Sequence, residues 1–426
     1  MSELRVLASV YACGPNWGSE VGMGWNWVRE LSRHVRLTVI TEAEFRDSIE
    51  AVADTAFAGR LLPEFHYIEI DPKARAMFWK QNSWGFYPYY RRWQLEAKAL
   101  ADKLLSENSY DLVHQLNMVG YREPGFLWQL DDSHKLVWGP ISGFGRMPHA
   151  FMPSMGLASW AKYALKDTLN ALQRNLMPRI GKALRRADAL VAVTRADAEF
   201  IQYRYKCEAR LIPETGTRGD LVGRVSQPRQ NELNLAWCGV MEGAKALQLA
   251  LRALALLKGK DIAVKLHIIG DGSCCERWQR EAIALGINDM CVWYGRKPHD
   301  EALKIMSDCD AFCFTSWREA TSTVIMEALS LGLPVITLDC CGMATAVTAE
   351  CGIKIPLTTP RRAVLGYAEA MEMLAREPQK LTALSRGALD RAPALSFEHN
   401  VGEMLRIYAA LLSDTETAPP ASAPDR

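Results

Sequence analysis

Arg5-Val6-Leu7-Ala8-Ser9-Val10, the turn Gly14-Pro15-Asn16-Trp17-Gly18-Ser19-Glu20-Val21-Gly22-Met23-Gly24, the segment Trp25 to His34, and Arg36-Leu37-Thr38-Val39-Ile40-Thr41 together decide the fold. The first run is a buried strand by length and apolar content, the second a glycine-rich turn, the third a helix and the fourth another strand. Strand, helix and strand at this spacing form a βαβ unit, which implies a parallel sheet. Further strands are expected at Leu112–His114, Leu136–Trp138 and Ala189–Val193. The polar stretch Gly216 to Glu232 reads as a linker. Beyond it the alternation restarts, with strands at Leu233–Cys238, Val264–Ile269, Val292–Tyr294, Ala311–Phe314 and Val335–Leu338. The helices between them are Ala246–Leu257, Cys275–Leu285, His299–Ser307 and Thr323–Leu331. The fold class expected is α/β, with two Rossmann-like doubly wound domains, 1–215 and 216–395, facing across a cleft. Ligands bind such sheets at the carboxyl ends of the strands. A closing helix over 396–413 and a disordered tail over 414–426, rich in Ala, Pro, Ser and Thr, complete this reading.

Bulk composition agrees. A chain of 426 residues is too long for one ordinary core, and 49% apolar with 23% charged residues supports large packed interiors. A net charge of +1 gives no global pull towards nucleic acid. The eleven cysteines include the adjacent pairs Cys274–Cys275 and Cys340–Cys341, but no CxxC and no zinc-finger spacing. They read as reduced, mostly buried thiols of a cytoplasmic protein. The N-terminus lacks the basic start and long apolar stretch of a signal peptide, and no run of about 20 apolar residues would span a membrane.

The most informative chemistry lies in Phe314-Thr315-Ser316-Trp317-Arg318-Glu319-Ala320-Thr321-Ser322-Thr323-Val324-Ile325-Met326-Glu327-Ala328-Leu329. A strand ends near Phe314 and a polar loop follows. Thr321, Ser322 and Thr323 can cap a helix that Gly332 and Pro334 stop. The backbone N–H groups of a helix start suit an anion such as a diphosphate. Glu319 before the helix and Glu327 inside it could then accept hydrogen bonds from sugar and ribose hydroxyls. The plainer reading is a capped surface helix with two solvated glutamates.

The segment resembles the signature of the retaining glycosyltransferases of family 4: Glu, seven residues, Glu, then Glu-Ala-Leu-x-x-Gly-Leu-Pro-Val, here Glu327-Ala328-Leu329-Ser330-Leu331-Gly332-Leu333-Pro334-Val335. The likeness extends over nearly the whole C-terminal half. It takes in His267-Ile268-Ile269-Gly270-Asp271-Gly272, Tyr294-Gly295-Arg296, and the closing helix from Ser396-Phe397 to Tyr408-Ala409-Ala410-Leu411-Leu412. The resemblance implies a GT-B fold whose last helix crosses back onto the first domain. It implies that Glu319 contacts the transferred sugar near the reacting centre and that Glu327 holds the ribose. The family also carries Gly-Arg followed five residues later by Lys-Gly, both basic groups touching the diphosphate. Here the stretch is Gly239-Val240-Met241-Glu242-Gly243-Ala244-Lys245-Ala246. Gly239 and Lys245 match, while Val240 and Ala246 depart. Loss of that guanidinium implies a weaker diphosphate grip, or substitution by Arg296 or another base.

In the first half, the glycine spacing of Gly18 to Gly24 is not the dinucleotide fingerprint. Gly18 and Gly22 either make a tight strand-to-helix turn or let backbone approach a ligand, and the resemblance implies contact with donor phosphate or acceptor. His114, in Asp111-Leu112-Val113-His114-Gln115, is either a satisfied core histidine or, by the resemblance, a group near the donor sugar. Gly139-Pro140-Ile141-Ser142-Gly143-Phe144-Gly145 is a second glycine-rich strand end, an acceptor pocket or a turn. Two segments suggest peripheral contact with the inner face of the plasma membrane. The stretch from Phe78 to Trp93 mixes aromatic and basic residues, and Trp160 to Arg186 carries seven basic residues (Lys162, Lys166, Arg174, Arg179, Lys182, Arg185, Arg186) against Asp167. An ordinary core helix with a solvated basic face explains the second equally well.

The function expected is sugar transfer from a nucleoside diphosphate sugar to the hydroxyl of a sugar or lipid-linked sugar, with retention, in bacterial polysaccharide or lipid-linked oligosaccharide assembly. No metal or other cofactor and no nucleic acid partner is expected, since no Asp-x-Asp motif opens on the cleft. The alternatives are a sugar-nucleotide epimerase of the same shape and a catalytically inactive nucleotide-sugar-binding subunit. A nicotinamide oxidoreductase is disfavoured by the missing fingerprint.

Overall fold

The computed structural model describes residues 4–80, 83, 85–145, 148–151, 161, 164–165, 168, 177–217, 221, 223–226 and 231–416. The chain divides into two compact units. One comprises Met1–Phe144, Gln173–Glu214 and Phe397–Arg426, the other Gly145–Leu172 and Thr215–Ser396.

The first unit is built on seven parallel strands: β1 (Arg5–Ser9), β2 (Arg36–Glu42), β3 (Glu64–Ile68), β4 (Leu112–Gln115), β5 (Leu136–Ile141), β6 (Ala189–Ala192) and β7 (Arg210–Leu211). They lie in the order β3-β2-β1-β4-β5-β6-β7, with Val6 to Ser9 registered against Leu112 to Gln115. The second unit has six: β8 (Glu232–Cys238), β9 (Ala263–Ile269), β10 (Cys291–Gly295), β11 (Ala311–Phe314), β12 (Val335–Leu338) and β13 (Gly352–Ile355), in the order β10-β9-β8-β11-β12-β13. All pairings are parallel, so helices cover both faces and the strands run apolar on both sides. In each sheet the winding direction reverses once, between β1 and β4 and between β8 and β11. The carboxyl ends at such a reversal diverge and leave room for a ligand.

Several expectations need correction. The first helix starts at Ser19, not Trp25, so Gly22 and Gly24 lie inside it. A Cβ on Gly22 would stand 2.0 Å from the Trp17 carbonyl oxygen, and one on Gly24 2.1 Å from that of Ala12. The glycines thus let a helix start hard against the end of β1. Strands β3, β7 and β13 were not legible as strands. The segment Gly145–Leu172 belongs to the second unit rather than to residues 1–215, because Phe151 is wholly buried in that unit's core. In the aromatic stretch from Phe78 to Trp93, five of the described aromatic side chains (Trp79, Phe86, Tyr89, Tyr90 and Trp93) are buried, while Tyr87, Lys80, Arg91 and Arg92 are exposed. Phe86, Tyr89, Tyr90 and Trp93 pack in the first unit, with Tyr11 edge-on to three of them. Of the basic helix expected over 160–186, most residues before Met177 lie outside those described. Arg179 pairs with Glu123, and Arg186 pairs with Asp132 and Asp188. The linker reading falls partly outside the described residues. The closing helix runs from Phe397 to Glu416, and the remainder of the expected tail is not described.

That closing helix belongs to the first unit. Its Tyr408 hydroxyl donates to His114 Nδ1 at 2.6 Å, and His114 Nε2 donates to the Gly139 carbonyl at 2.8 Å, both side chains fully buried. The eleven cysteines are all free thiols. Among the described residues no helix is long and apolar enough to cross a membrane, and no cluster of three or more His, Cys, Asp or Glu could hold a metal.

Candidate functional site

The second unit's switch point brings two loops together. One leaves β8 at Cys238 and reaches Lys245 through a short turn, Gly243–Lys245; the other leaves β11 at Phe314 and carries Glu319. Four hydrogen bonds sew the loops to each other. The Trp237 indole donates to Thr315 Oγ1 at 2.9 Å, and that hydroxyl donates to the Lys245 carbonyl at 2.6 Å. The Trp317 backbone N–H and the Ser316 hydroxyl both reach the Ala244 carbonyl, each at 3.3 Å. With both backbones fixed, Lys245 Nζ forms an ion pair with Glu319 Oε1, and Ser316 Oγ lies 3.3 Å from the same oxygen. Both side chains keep about a fifth to a quarter of their surface in solvent (25% and 21%), open to a ligand.

Close packing shapes the floor. The Gly239 N–H donates to the Ile269 carbonyl at 3.0 Å. Gly270 has φ 139°, and a Cβ there would stand 1.9 Å from the Gly239 oxygen. The glycine that ends β9 therefore fixes how closely the β8 loop folds down. A Cβ on Gly239 would meet only the Trp237 ring, at 3.7 Å. The Glu319 loop is held from the far side by the Gly342 N–H, which donates to the Ala320 carbonyl at 2.8 Å.

The Thr323–Ser330 helix starts here. Ser322 is its N-cap, in extended backbone, but its side chain makes no capping hydrogen bond. The cap expected of Ser322 therefore does not form, and the Ile325 N–H donates to the Ser322 carbonyl at 3.0 Å. A helix start in that condition accommodates an anion. Glu327 lies one turn inside, and its Oε1 is 2.8 Å from His299 Nε2. Its carboxylate is mostly covered (14% exposed), while His299, first residue of the His299–Ser307 helix, is about half exposed. Cys238 lies close enough to feel both Glu327 and Lys245, and burial first of all pushes its thiol up to about 12. It is a neutral, inert wall of the site. Val240, where the resemblance puts an arginine, is 57% exposed, and Arg296 is exposed after β10.

Lys245, Glu319, Glu327, Gly239 and the 321–323 helix start thus share one end of one sheet. His114, Gly18 and Gly22 belong to the first unit. His114 has both ring nitrogens engaged and no exposed surface, and burial lowers its pKa to about 4, so it is a neutral tie between sheet and closing helix. Gly18 is the N-cap of the Ser19–Leu31 helix, with nothing within 4 Å of a Cβ there. Beside it Glu20 Oε1 accepts the Val119 N–H at 2.6 Å, and burial raises that carboxyl to about 7. Neither Glu20 nor His299 was singled out by sequence. Each follows a strand end by position, which was the one signal available.

Residues 224–385 match the family model described as glycosyl transferases group 1. A D-inositol 3-phosphate glycosyltransferase of Stackebrandtia nassauensis is 26% identical over 254 residues, 55% of this chain and 56% of that protein. The lipopolysaccharide 1,6-galactosyltransferase of Escherichia coli K12 is 37% identical over 101 residues, 23% of this chain and 27% of that one. The chain thus spans about half or less of the lengths of these relatives. Among solved structures, Anabaena HepE in complex with UDP superposes with a TM-score of 0.60 at 15% identity, covering 96% of this chain and all of that one. The protein therefore has the GT-B fold, and its residues 224–385 match the glycosyl transferases group 1 model.

Proposed function

We propose that this protein transfers a sugar from a nucleoside diphosphate sugar to an acceptor hydroxyl with retention of anomeric configuration, in assembly of a bacterial polysaccharide or lipid-linked oligosaccharide. The observation that carries the reading is the convergence, at one switch point, of Lys245, Glu319, Glu327 and a helix start without a side-chain cap. The diphosphate binds the helix-start amides and Lys245, and Glu327 accepts the ribose hydroxyls. On binding, the diphosphate takes over Lys245, and Glu319 is released towards the hydroxyls of the transferred sugar. Double displacement uses two carboxyl groups about 5 Å apart across the bond. Glu319 serves the sugar alone in this reading, so the acceptor attacks from the face of the departing diphosphate, which takes the acceptor's proton. Catalysis is then positioning and electrostatics, with Lys245 and the amides stabilising the leaving charge. No metal is invoked. The UDP held by HepE and the lipopolysaccharide acceptor named for the Escherichia coli relative support the donor and acceptor classes.

Calorimetric titration with UDP, GDP, ADP and dTDP in EDTA tests the reading. One nucleotide binds wild type, and both Lys245→Ala and Glu327→Ala weaken it tenfold or more. Binding of one nucleotide without transfer or hydrolysis of its sugar conjugate would favour a second reading, a nucleotide-sugar-binding subunit without activity, for which Val240 in the arginine's place is the specific observation. Failure of all four would overturn the donor-site reading.

A further inference from the structure

Glu327 has one side-chain partner among the described residues, and it comes from a different strand's loop. His299 follows β10 and the turn to Pro298, at the edge of the sheet, and opens its own helix there. Its Nε2 reaches across to Glu327 Oε1 at 2.8 Å. Its Nδ1 lies 3.6 Å from the exposed Asp300 carboxylate. A carboxylate side chain on a helix surface samples several rotamers, and ordering it costs conformational entropy when a ligand binds. A donor from a second, independently anchored helix removes that freedom beforehand, and ligand affinity rises by the entropy saved. The pair leaves the carboxylate's second oxygen without a hydrogen bond among the described residues.

We propose that His299 is a positioning residue of the donor site, holding Glu327 in the rotamer that accepts the ribose hydroxyls of the nucleoside diphosphate. The inference rests on the donor-site reading above. It adds that nucleoside selectivity is shared between the β10 loop and the Thr323–Ser330 helix, so the ribose is gripped from two elements. His299 does not touch the diphosphate, and its contribution depends on the hydroxyls of the ribose.

The experiment compares binding of the preferred nucleoside diphosphate, its 2′,3′-dideoxy analogue and inorganic pyrophosphate to wild type, His299→Ala, His299→Gln, Glu327→Ala and the His299→Ala/Glu327→Ala double variant. His299→Ala should weaken the ribonucleotide roughly three- to tenfold, as loss of a half-exposed charge-assisted hydrogen bond does. The dideoxy analogue and pyrophosphate should bind wild type and His299→Ala alike. His299→Gln, whose amide can still donate to Glu327, should recover most of the loss. The double variant should be no weaker than Glu327→Ala, since the histidine acts through the glutamate. Equal weakening of all three ligands, or additive effects in the double variant, would overturn the proposal, because His299 would then support the loop in general. Failure of wild type to bind any nucleotide would instead overturn the donor-site reading itself.

Discussion

Glu319 and Lys245 hold each other, and this sets what each substitution should do. In the proposed function Lys245 serves the phosphate side of the site and Glu319 the sugar side. Replacing Glu319 by Gln keeps the shape and the Ser316 contact but removes the charge proposed to face the reacting sugar. Nucleotide binding should change by less than threefold, since Lys245 is freed for phosphate. Turnover should fall by about 10²–10³, the usual consequence of deleting one charged group aimed at a transition state. Separate measurement of nucleotide Kd and of kcat checks the split. A Glu319→Gln variant that loses nucleotide affinity and keeps kcat would remove the glutamate from the sugar end. His114 shows the opposite outcome for a residue singled out from sequence. A histidine at a strand's carboxyl end looks the same in sequence whether it faces a ligand or a tyrosine 294 positions away, and here Tyr408 takes the nitrogen.

At the scale of elements, the site depends on how far three loops can fold over one sheet end. Gly342 starts the short Met343–Ala346 helix after β12, and a Cβ there would stand 2.1 Å from the Ala320 oxygen and 2.9 Å from the Thr321 hydroxyl. The obstructing atom is backbone and cannot rotate away. Gly342→Ala should therefore push the 319–322 loop, cost about 1–3 kcal/mol of stability as overpacking does, and lower donor turnover. Gly239→Ala has room and should leave the melting temperature unchanged. Differential scanning fluorimetry on the two variants decides the matter, and equal melting temperatures would show that the loop yields freely. The strands of both sheets centre on runs legible as sequence, because a strand buried on both faces is a short apolar block: Ala311–Phe314 and Val335–Leu338 match to the residue. Elements at the margins were not. β3 reads Glu-Phe-His-Tyr-Ile and is mostly half-buried, β7 is two exposed residues, and β13 has an exposed lysine in its middle, so none has the apolar signal of a central strand. The assignment of Gly145–Leu172 was illegible for another reason. Among the described residues Phe151 is buried in the second unit's core with Ala164 packed against it, and no local pattern encodes that.

For the molecule as a whole, the two units divide its responses to solution conditions. The buried groups with shifted protonation in the second unit include the thiols Cys238, Cys291, Cys309 and Cys313, all raised by burial and neutral across the ordinary pH range. The first unit instead holds Glu20, Glu42 and His114. Glu42, at the end of β2, is fully buried; its Oε2 accepts the Tyr89 hydroxyl at 2.9 Å and its Oε1 has no partner among the described residues. Burial, opposed by that hydrogen bond, raises its carboxyl from 4.5 to about 7. Between those values the folded state keeps a proton that the unfolded chain has released. Stability from this group therefore falls as pH rises from about 4.5 to about 7, and is level above. His114 runs the other way. Its folded value near 4 lies below the ordinary 6.5, so its contribution is present above 6.5 and is lost as pH falls through that window towards 4. The opposed slopes overlap, and a wild-type profile alone cannot separate them. The difference between Glu42→Gln and wild type does. Gln cannot ionise, so the variant should gain on wild type steadily from about pH 4.5 to 7 and hold its advantage at pH 8. That advantage has an upper bound of about 3 kcal/mol, reduced because the new amide is buried beside the orphan position. Chemical denaturation at several pH values measures it. A difference that does not vary between pH 4.5 and 8 would mean that Glu42 ionises freely in the fold, and that the cluster around Tyr11, Tyr89 and Arg75 solvates its charge.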